Sequence, residues 1–371
     1  MTDRPLTEPV HHPDERVTRR SSTLDPRTAV MLIACLFAVL LSALVVLLPV
    51  KYAILRPGPV LNTLGEVDGT PLISISGRKT YETSGTLDLT TVSVLGGPDR
   101  KVTLLQVFDA WLRDSSAVVP EESVFTPGET QEQSEAENAA EMTSSQESAT
   151  AAALWALGIK VPTTLTVAGT DPAAPAAEVL KKDDVILGVD GQSIGDLAEL
   201  RTTLAATQPG DEVKVRIRRA GEVRTVSTET MENSAGDVVL GIYITPDFDF
   251  PFDVKIQIED IGGPSAGMMF ALGIVDTLTP GDLTGGKDIA GTGTIDADGT
   301  VGPIGGIRQK LVGARDAGAE YFLAPADNCN EVVDHIPDGL DVVRVETLDQ
   351  ARSDVEAIAE GDTADLPRCE S

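Results

Sequence analysis

From residue 28 to residue 50 the chain reads TAVMLIACLFAVLLSALVVLLPV, 23 residues without a charge. At about 1.5 Å per residue a helix of that length crosses a ~30 Å hydrocarbon layer, so the pattern predicts one membrane-spanning helix. Past it, β-like runs at residues 71–76 and 87–94 predict strands, and the amphipathic stretch 104–113 predicts a helix. Residues 120–148 hold eight glutamates, no Lys or Arg, and many Ser, Thr, Gln and Ala, which predicts a solvated helix or a mobile excursion. Between residues 156 and 230, strand signals at 164–167, 184–189 and 213–218 surround helical stretches at 174–182 and 196–206. Asp190-Gly191 and Ala220-Gly221 supply turns. Further on, residues 271–275 are apolar on every face, predicting a buried helix that starts near Gly262-Gly263-Pro264-Ser265. A hairpin turning at Asp298-Gly299 then leads through Gly305-Gly306 into a helix on which Ile307, Leu311 and Ala314 share a face, with Lys310 in the same sector.

Charge adds topology. The chain of 371 residues carries 58 acidic and 29 basic side chains, net −29. Arg16, Arg19, Arg20 and Arg27 precede the apolar run, against Lys51 and Arg56 after it, which places residues 1–27 in the cytoplasm and everything after Lys51 outside. An uncleaved anchor is favoured over a signal peptide, because the apolar run is too long and no small-x-small site stands near Pro49. Cys35 sits near the start of the run and reads as a small apolar residue of the helix. The acidic balance argues against nucleic acid as a partner. Three cysteines and three histidines are too few for a zinc site, and no metal or other cofactor is implied. Cys329 and Cys369 are able to pair in an oxidising compartment, and the sequence leaves that open.

In Gly263-Pro264-Ser265-Ala266-Gly267 a serine stands among small residues at a helix start, where Gly permits close backbone approach and free N–H groups point at any oxyanion beside Ser265. A lysine on an apolar helix face is unusual; its long stem either snorkels to solvent or buries the amine. At an ordinary pKa of about 10.4, fewer than about one lysine in a thousand is neutral at pH 7. Desolvation lowers a lysine pKa by about 3 to 5 units, which makes Lys310 a candidate general base for Ser265 without any histidine.

Two resemblances carry these readings further. The run from Pro172 through Asp190-Gly191, the following helix and the stretch Gln208 to Arg218 resemble a bacterial PDZ domain. The resemblance implies a sheet edge that takes up an extended peptide, with the carboxylate-holding loop expected near Leu157-Gly158-Ile159. The stretches Gly263-Pro264-Ser265-Ala266-Gly267, Thr292-Gly293 with Ile295, Pro303 to Lys310, Ala317-Gly318 and Ala324-Pro325 resemble the proteolytic domain of Lon proteases across residues 237–358. That resemblance implies Ser265 as nucleophile, Lys310 as base, Thr292 as a hydroxyl orienting the lysine, backbone of Gly263, Pro264 and Ser265 around the oxyanion, and a homo-oligomer, by analogy a hexameric ring. Lon carries Asp where this chain has Gly262, and histidines where it has residues such as Lys255 and Gln257. Lon's ATPase has no counterpart: the nearest phosphate-loop pattern, Gly281 to Asp288, ends in Asp where magnesium needs Ser or Thr.

The expectation is an α+β protein. It comprises a cytoplasmic tail (1–27), a transmembrane helix (28–50), a small mixed region with an acidic excursion (51–155), a PDZ-like domain (156–235), a Lon-like proteolytic domain (236–360) and a tail (361–371). Its expected function is ATP-independent cleavage of unfolded or flexible extracytoplasmic protein segments at the membrane surface, with protein or peptide substrates and lipid as partners and neither ATP nor nucleic acid. Two alternatives stand beside it: a catalytically silent PDZ-type peptide-binding scaffold, and an α/β-hydrolase using Ser265, Asp296 or Asp298, and His335.

Overall fold

The computed structural model describes residues 25–67, 69–233, 236–258 and 261–370; the N-terminal arginines of the charge argument other than Arg27, together with His11 and His12, lie outside the described residues. Helix α1 runs Pro26–Val46, with the Asp25 side chain accepting from the Arg27 amide at its start. It stops short of residue 50 because Pro49 and Val50 leave the helix and pair with Val102 and Thr103. None of α1 is buried against the rest of the protein, and its mean hydropathy reaches 3.0.

The chain then forms β1 (Tyr52–Asn62), β2 (Ile73–Ser76), β3 (Thr86–Leu95), α2 (Leu104–Trp111), β4 (Ala117–Pro120) and α3 (Gln131–Ala156). Next come β5 (Thr163–Thr170), β6 (Val185–Val189), α4 (Leu197–Ala205), β7 (Glu212–Arg219), β8 (Glu222–Glu229) and β9 (Ile242–Phe248). The last part holds β10 (Asp253–Ile256), α5 (Gly267–Leu278), β11 (Asp288–Gly291), β12 (Thr294–Ile295), β13 (Val301–Gly302), α6 (Ile307–Asp316), β14 (Tyr321–Pro325), α7 (Cys329–Val332), β15 (Asp341–Val345) and α8 (Leu348–Glu360).

One mixed sheet organises both ends of this list, in the order β15-β14-β11-β3-β1-β4. Strands β15, β14, β11 and β3 are parallel, and β1 joins β3 and β4 antiparallel. The expected small region 51–155 is therefore not a separate element: its strands complete the sheet of the C-terminal part. Successive residues on the strands serve opposite faces. Leu323 joins Leu87, Leu89, Ile289 and Val343 in a core with α3, α5 and α8, whereas Phe322 and Ala324 pack with Ile307, Leu311 and Ala314 of α6. Helix α5 is buried at every position except Thr277, as a helix apolar on all sides must be.

The acidic stretch forms a helix with exposed glutamates, as one of the two expectations had it, but one side of it is buried. Helix α3 opens on a capping box between Thr130 and Gln133, shows its glutamates to water, and buries Ser134, Met142, Ser145 and residues 149–154 against α5. Spacing hides this, because the inward positions are mostly Ser, Thr and Ala rather than large apolar residues.

Between α3 and β10 lies a second sheet, β8-β7-β6-β5-β9, all antiparallel. Val213, Val215 and Ile217 of β7 alternate inward against Leu200 and Leu204 of α4. Asp190-Gly191 and Ala220-Gly221 form the expected turns with positive φ at both residues of each pair. The helix expected at 174–182 shrinks to one 3-10 turn, Pro175–Glu178, because the buried Asp184 carboxylate accepts the Lys181 amide at 2.9 Å and turns the chain. Thr163 and Phe248 pair with each other, so this unit leaves the first sheet's body and returns to it at one place.

Candidate active site and peptide edge

Helices α5 and α6 lie on opposite faces of the mixed sheet, and they meet over the C-terminal end of β11. The turn before α5 supplies Ser265, α6 supplies Lys310, and Thr292 follows β11 directly. Lys310 Nζ lies 2.8 Å from Ser265 Oγ and 2.8 Å from Thr292 Oγ1. The Thr292 hydroxyl donates to the Ser265 carbonyl at 2.9 Å, and the Gly293 amide donates to the same oxygen at 2.9 Å. Thr292 thus fixes both the lysine and the backbone of the serine. Lys310 is 2% exposed, and burial pushes its pKa from 10.5 down to about 7. Charged, this amine donates to both hydroxyls; neutral, it has a lone pair with which it can accept from the Ser265 hydroxyl, as a general base must. The helix entry that makes this possible is Gly306, at φ 70°, where a Cβ would meet Val92 at 2.8 Å.

The turn that carries Ser265 is shaped by α3. The Gly263 amide donates to the Asn138 carbonyl at 3.0 Å, and the Ser145 hydroxyl donates to the Pro264 carbonyl at 3.0 Å. A Cβ at Gly262 would stand 2.6 Å from Asn138, and one at Gly267 would stand 2.9 Å from Ser145 Oγ and 2.8 Å from Ile295, so two glycines let the turn press against the helix. Held in this way, the chain starts α5 at Gly267 and leaves Pro264 outside the first helical turn where sequence placed it. The expected oxyanion set changes accordingly. The Gly263 N–H points to α3 and Pro264 has none, whereas the N–H groups of Ser265 and Ala266 have no partner among the described residues. Nothing in the sequence marks the Ala266 N–H as free, because a small residue after the serine carries no signal of its own.

The hydrolase constellation does not assemble. Asp296 and Asp298 both pair with Arg201 of α4, and the His335 ring contacts the Val333 carbonyl at 3.1 Å. The Gly281 to Asp288 stretch runs into β11 with no helix after it, so it lacks the helix N-terminus that a phosphate loop supplies.

The peptide-binding loop expected at Leu157-Gly158-Ile159 is instead the stop signal of α3. The Gly158 amide donates to Trp155 and the Ile159 amide to Leu154, with Gly158 at φ 69°, so these amides close the helix and are not free for a carboxylate. The strand that follows, β5, is paired on both sides. The second sheet has two edges, β8 and β9; β9 pairs with β5 alone among the described strands and is entered through another Leu-Gly-Ile, Leu240-Gly241-Ile242. Leu240 is buried in the core with Leu200 and Leu204, and Ile242 and Ile244 pack beside them, so α4 and β9 flank one groove. At its far end a cavity of about 420 Å³ is lined by Leu197 and Ala198 of α4, Pro246 and Phe248 of β9, Trp155 of α3 and Asp298.

Comparison with known proteins finds the same two kinds of unit, the first with bounds that take in part of α3 and end before β9. A family model of the PDZ domain matches residues 140–230, and one of the Lon protease (S16) C-terminal proteolytic domain matches residues 255–355. A Lon protease of Azospirillum brasilense is 30% identical over 158 residues, 41% of this chain and 19% of that protein. Lon protease 1 of Bacillus subtilis is 28% identical over 182 residues, 47% of this chain and 23% of its own length. The chain thus spans about a fifth of the length of these relatives. Among solved structures, the PDZ domain of an SdrC-like protein from Listeria monocytogenes is 22% identical, covering 22% of this chain and 86% of that one with a TM-score of 0.21. In one polypeptide, then, the chain joins a PDZ domain to a proteolytic domain of the Lon (S16) family.

Proposed function

We propose that this chain is a membrane-anchored serine endopeptidase that works without ATP, with Ser265 as nucleophile, Lys310 as general base and Thr292 as the hydroxyl that orients the lysine. The observation that carries this reading is the 2.8 Å approach of a buried lysine amine to the only serine of the turn ahead of α5. Neutral Lys310 takes the Ser265 proton as Oγ bonds to the peptide carbonyl carbon, and the oxyanion is held by the Ser265 and Ala266 N–H groups. The ammonium returns that proton to the leaving amine as the C–N bond breaks. Water, deprotonated by the again neutral lysine, then releases the acyl group and restores the serine.

The domain division that supports this is a discontinuous catalytic body, residues 52–158 and 250–360, with the PDZ unit inserted at 163–248. Peptide ends are bound on the β9 edge, antiparallel to it, with the carboxylate at the loop before Gly241. The body lies outside the membrane that α1 crosses. The bond between Cys329 and Cys369 supports that side, since disulfides persist in oxidising compartments. Without an unfolding motor the substrates are flexible or already unfolded segments, and the Lon resemblance suggests a homo-oligomeric ring.

The test is cleavage of an unfolded protein such as casein, without ATP, by the full chain in detergent. Wild type is expected to cut while Ser265→Ala and Lys310→Ala do not. Equal cutting by all three removes the dyad, and no cutting by any, with a peptide still bound, returns the reading to a silent PDZ scaffold.

A further inference from the structure

We infer that α2 is a membrane-interface helix whose outer face, Leu105, Phe108, Trp111 and Leu112, lies among the headgroups of the bilayer that α1 crosses. The inference rests on α1 being a membrane span. A helix on a soluble body turns its large apolar residues inward. Helix α2 does the reverse: Ala110 and Val107 pack inward with Ile54, Val102 and Val118, while Leu105 is 54% exposed, Phe108 57%, Trp111 74% and Leu112 64%. Four large apolar side chains gathered on one short helix form a patch that water does not tolerate without cause.

Its position says what covers it. The Leu104 amide donates to the Leu48 carbonyl at 3.3 Å, and α1 and α2 are in contact. Leu48 is two residues beyond the end of α1 at Val46, so α2 begins where the chain leaves the hydrocarbon. An amphipathic helix there buries its apolar face about 5 to 10 Å into the boundary between headgroups and acyl chains, and Trp is the residue that boundary favours. Charge does not explain the patch: a chain of net −29 is repelled by anionic headgroups, so an apolar contact is what can hold this body close. Lys51, exposed at the same level, offers a cation to the phosphates, whereas Arg113 at the C-terminal end of α2 is paired with Asp109. The outcome is that the catalytic body does not swing freely on α1 but is pinned at two points.

The full chain carrying Trp155→Phe, which leaves Trp111 as its one tryptophan, is reconstituted in phosphatidylcholine vesicles. Lipid brominated near the headgroup end of its acyl chains is expected to remove most of the Trp111 emission, and acrylamide to quench it little. The companion Trp111→Phe, reporting Trp155, is expected to show the opposite on both counts. Phe108→Ser with Leu112→Ser should still float with the vesicles through α1 while Trp111 loses its lipid quenching. Trp111 open to acrylamide and untouched by bromolipid overturns the proposal, as does protection from both, which would mean a second copy covers the patch. Failure of the chain to float at all overturns the anchor itself, a result that flotation alone reports.

Discussion

The two cores of this protein are assembled by opposite rules. In the PDZ unit β7 and β8 pair at eight positions across a two-residue turn, and the whole buried core lies between Leu165 and Leu240. In the proteolytic body the central pair β3 and β11 joins Thr86 to Asp288, 202 residues apart, and the turn that carries Ser265 leans on a helix from the other side of the insertion. Local pairing closes small loops, whereas the body can close its long loop cheaply only because the insertion enters and leaves at Thr163 and Phe248, which already touch. On the proposed reading the chemistry sits in one core and the peptide edge in the other, and each prediction below asks whether the two can be separated.

The largest effect is expected at Lys310. Lys310→Met should lower casein cleavage by about 10³ to 10⁴-fold, as loss of a general base does in a serine protease, while peptide binding at the β9 edge stays as it was. The wild-type rate should rise through pH 7 as the amine loses its proton and level off above it. The same substitution should stabilise the body at low pH. A lysine depressed from 10.5 to about 7 binds fewer protons folded than unfolded between those values, so wild-type stability climbs across that window and is lowest below it. Calorimetry should therefore show Lys310→Met melting above wild type at pH 6, with the gap closing toward pH 10. A constant gap would mean that the folded lysine keeps its ordinary pKa and stays charged across this range.

Next is Ser145. The peptide unit between Pro264 and Ser265 is planar and trans, so its carbonyl and its N–H point in opposite directions. By holding the carbonyl, the Ser145 hydroxyl sets where the Ser265 N–H points. Thr143 and Thr150 on the same helix bond back to Ala139 and Gln146, as helix hydroxyls commonly do, and Ser145 does not. Ser145→Ala should lower kcat by about 10²-fold, the effect of losing one oxyanion donor, with KM nearly unchanged and the pH midpoint unmoved. Affinity for a peptide boronate should fall in parallel, and a purely structural role would leave that affinity alone in the folded variant.

Cys369→Ser separates the cores by stability. The bond to Cys329 closes a 40-residue separation and ties the C-terminal tail to the proteolytic body, and its loss is expected to cost about 3 to 4 kcal/mol. The body's melting transition should drop and the PDZ transition should hold. A common drop of both would show that the two cores melt as one unit.

How much of this was legible follows the same division. The PDZ turns, the alternation of β7 and the burial of Ile307, Leu311 and Ala314 around Lys310 were all readable, because each is written in spacings of a few residues. The approach of Lys310 to Ser265 was readable because Gly, Ser and Lys at those places are hard to explain otherwise. Sheet membership of β1 and β3 was not, since a strand's partner 202 residues away leaves no local trace. Leu157-Gly158-Ile159 and Leu240-Gly241-Ile242 make the point most sharply. The tripeptides are identical and both glycines have positive φ, yet one ends a helix with its amides engaged and the other opens a free edge of a sheet.

The smallest effect is expected where the cores touch. Arg201 of α4 reaches Asp296 at 3.0 Å and Asp298 beside it, on the hairpin of β12 and β13 that begins two residues after Thr292. Arg201 is half exposed, so water and salt screen the pairs, and each contributes no more than about 1 kcal/mol. Arg201→Ala should therefore shift the PDZ transition down by only a few degrees, and the shift should vanish at about 1 M salt, where the screening length falls to about 3 Å. Lysine has one ammonium where arginine has a planar fork, so Arg201→Lys should recover part of the shift and not all of it. A wild-type-like melt for Arg201→Ala at low salt would place the hold between the cores in the apolar walls of the cavity instead, with Trp155 and Phe248 the residues to change next.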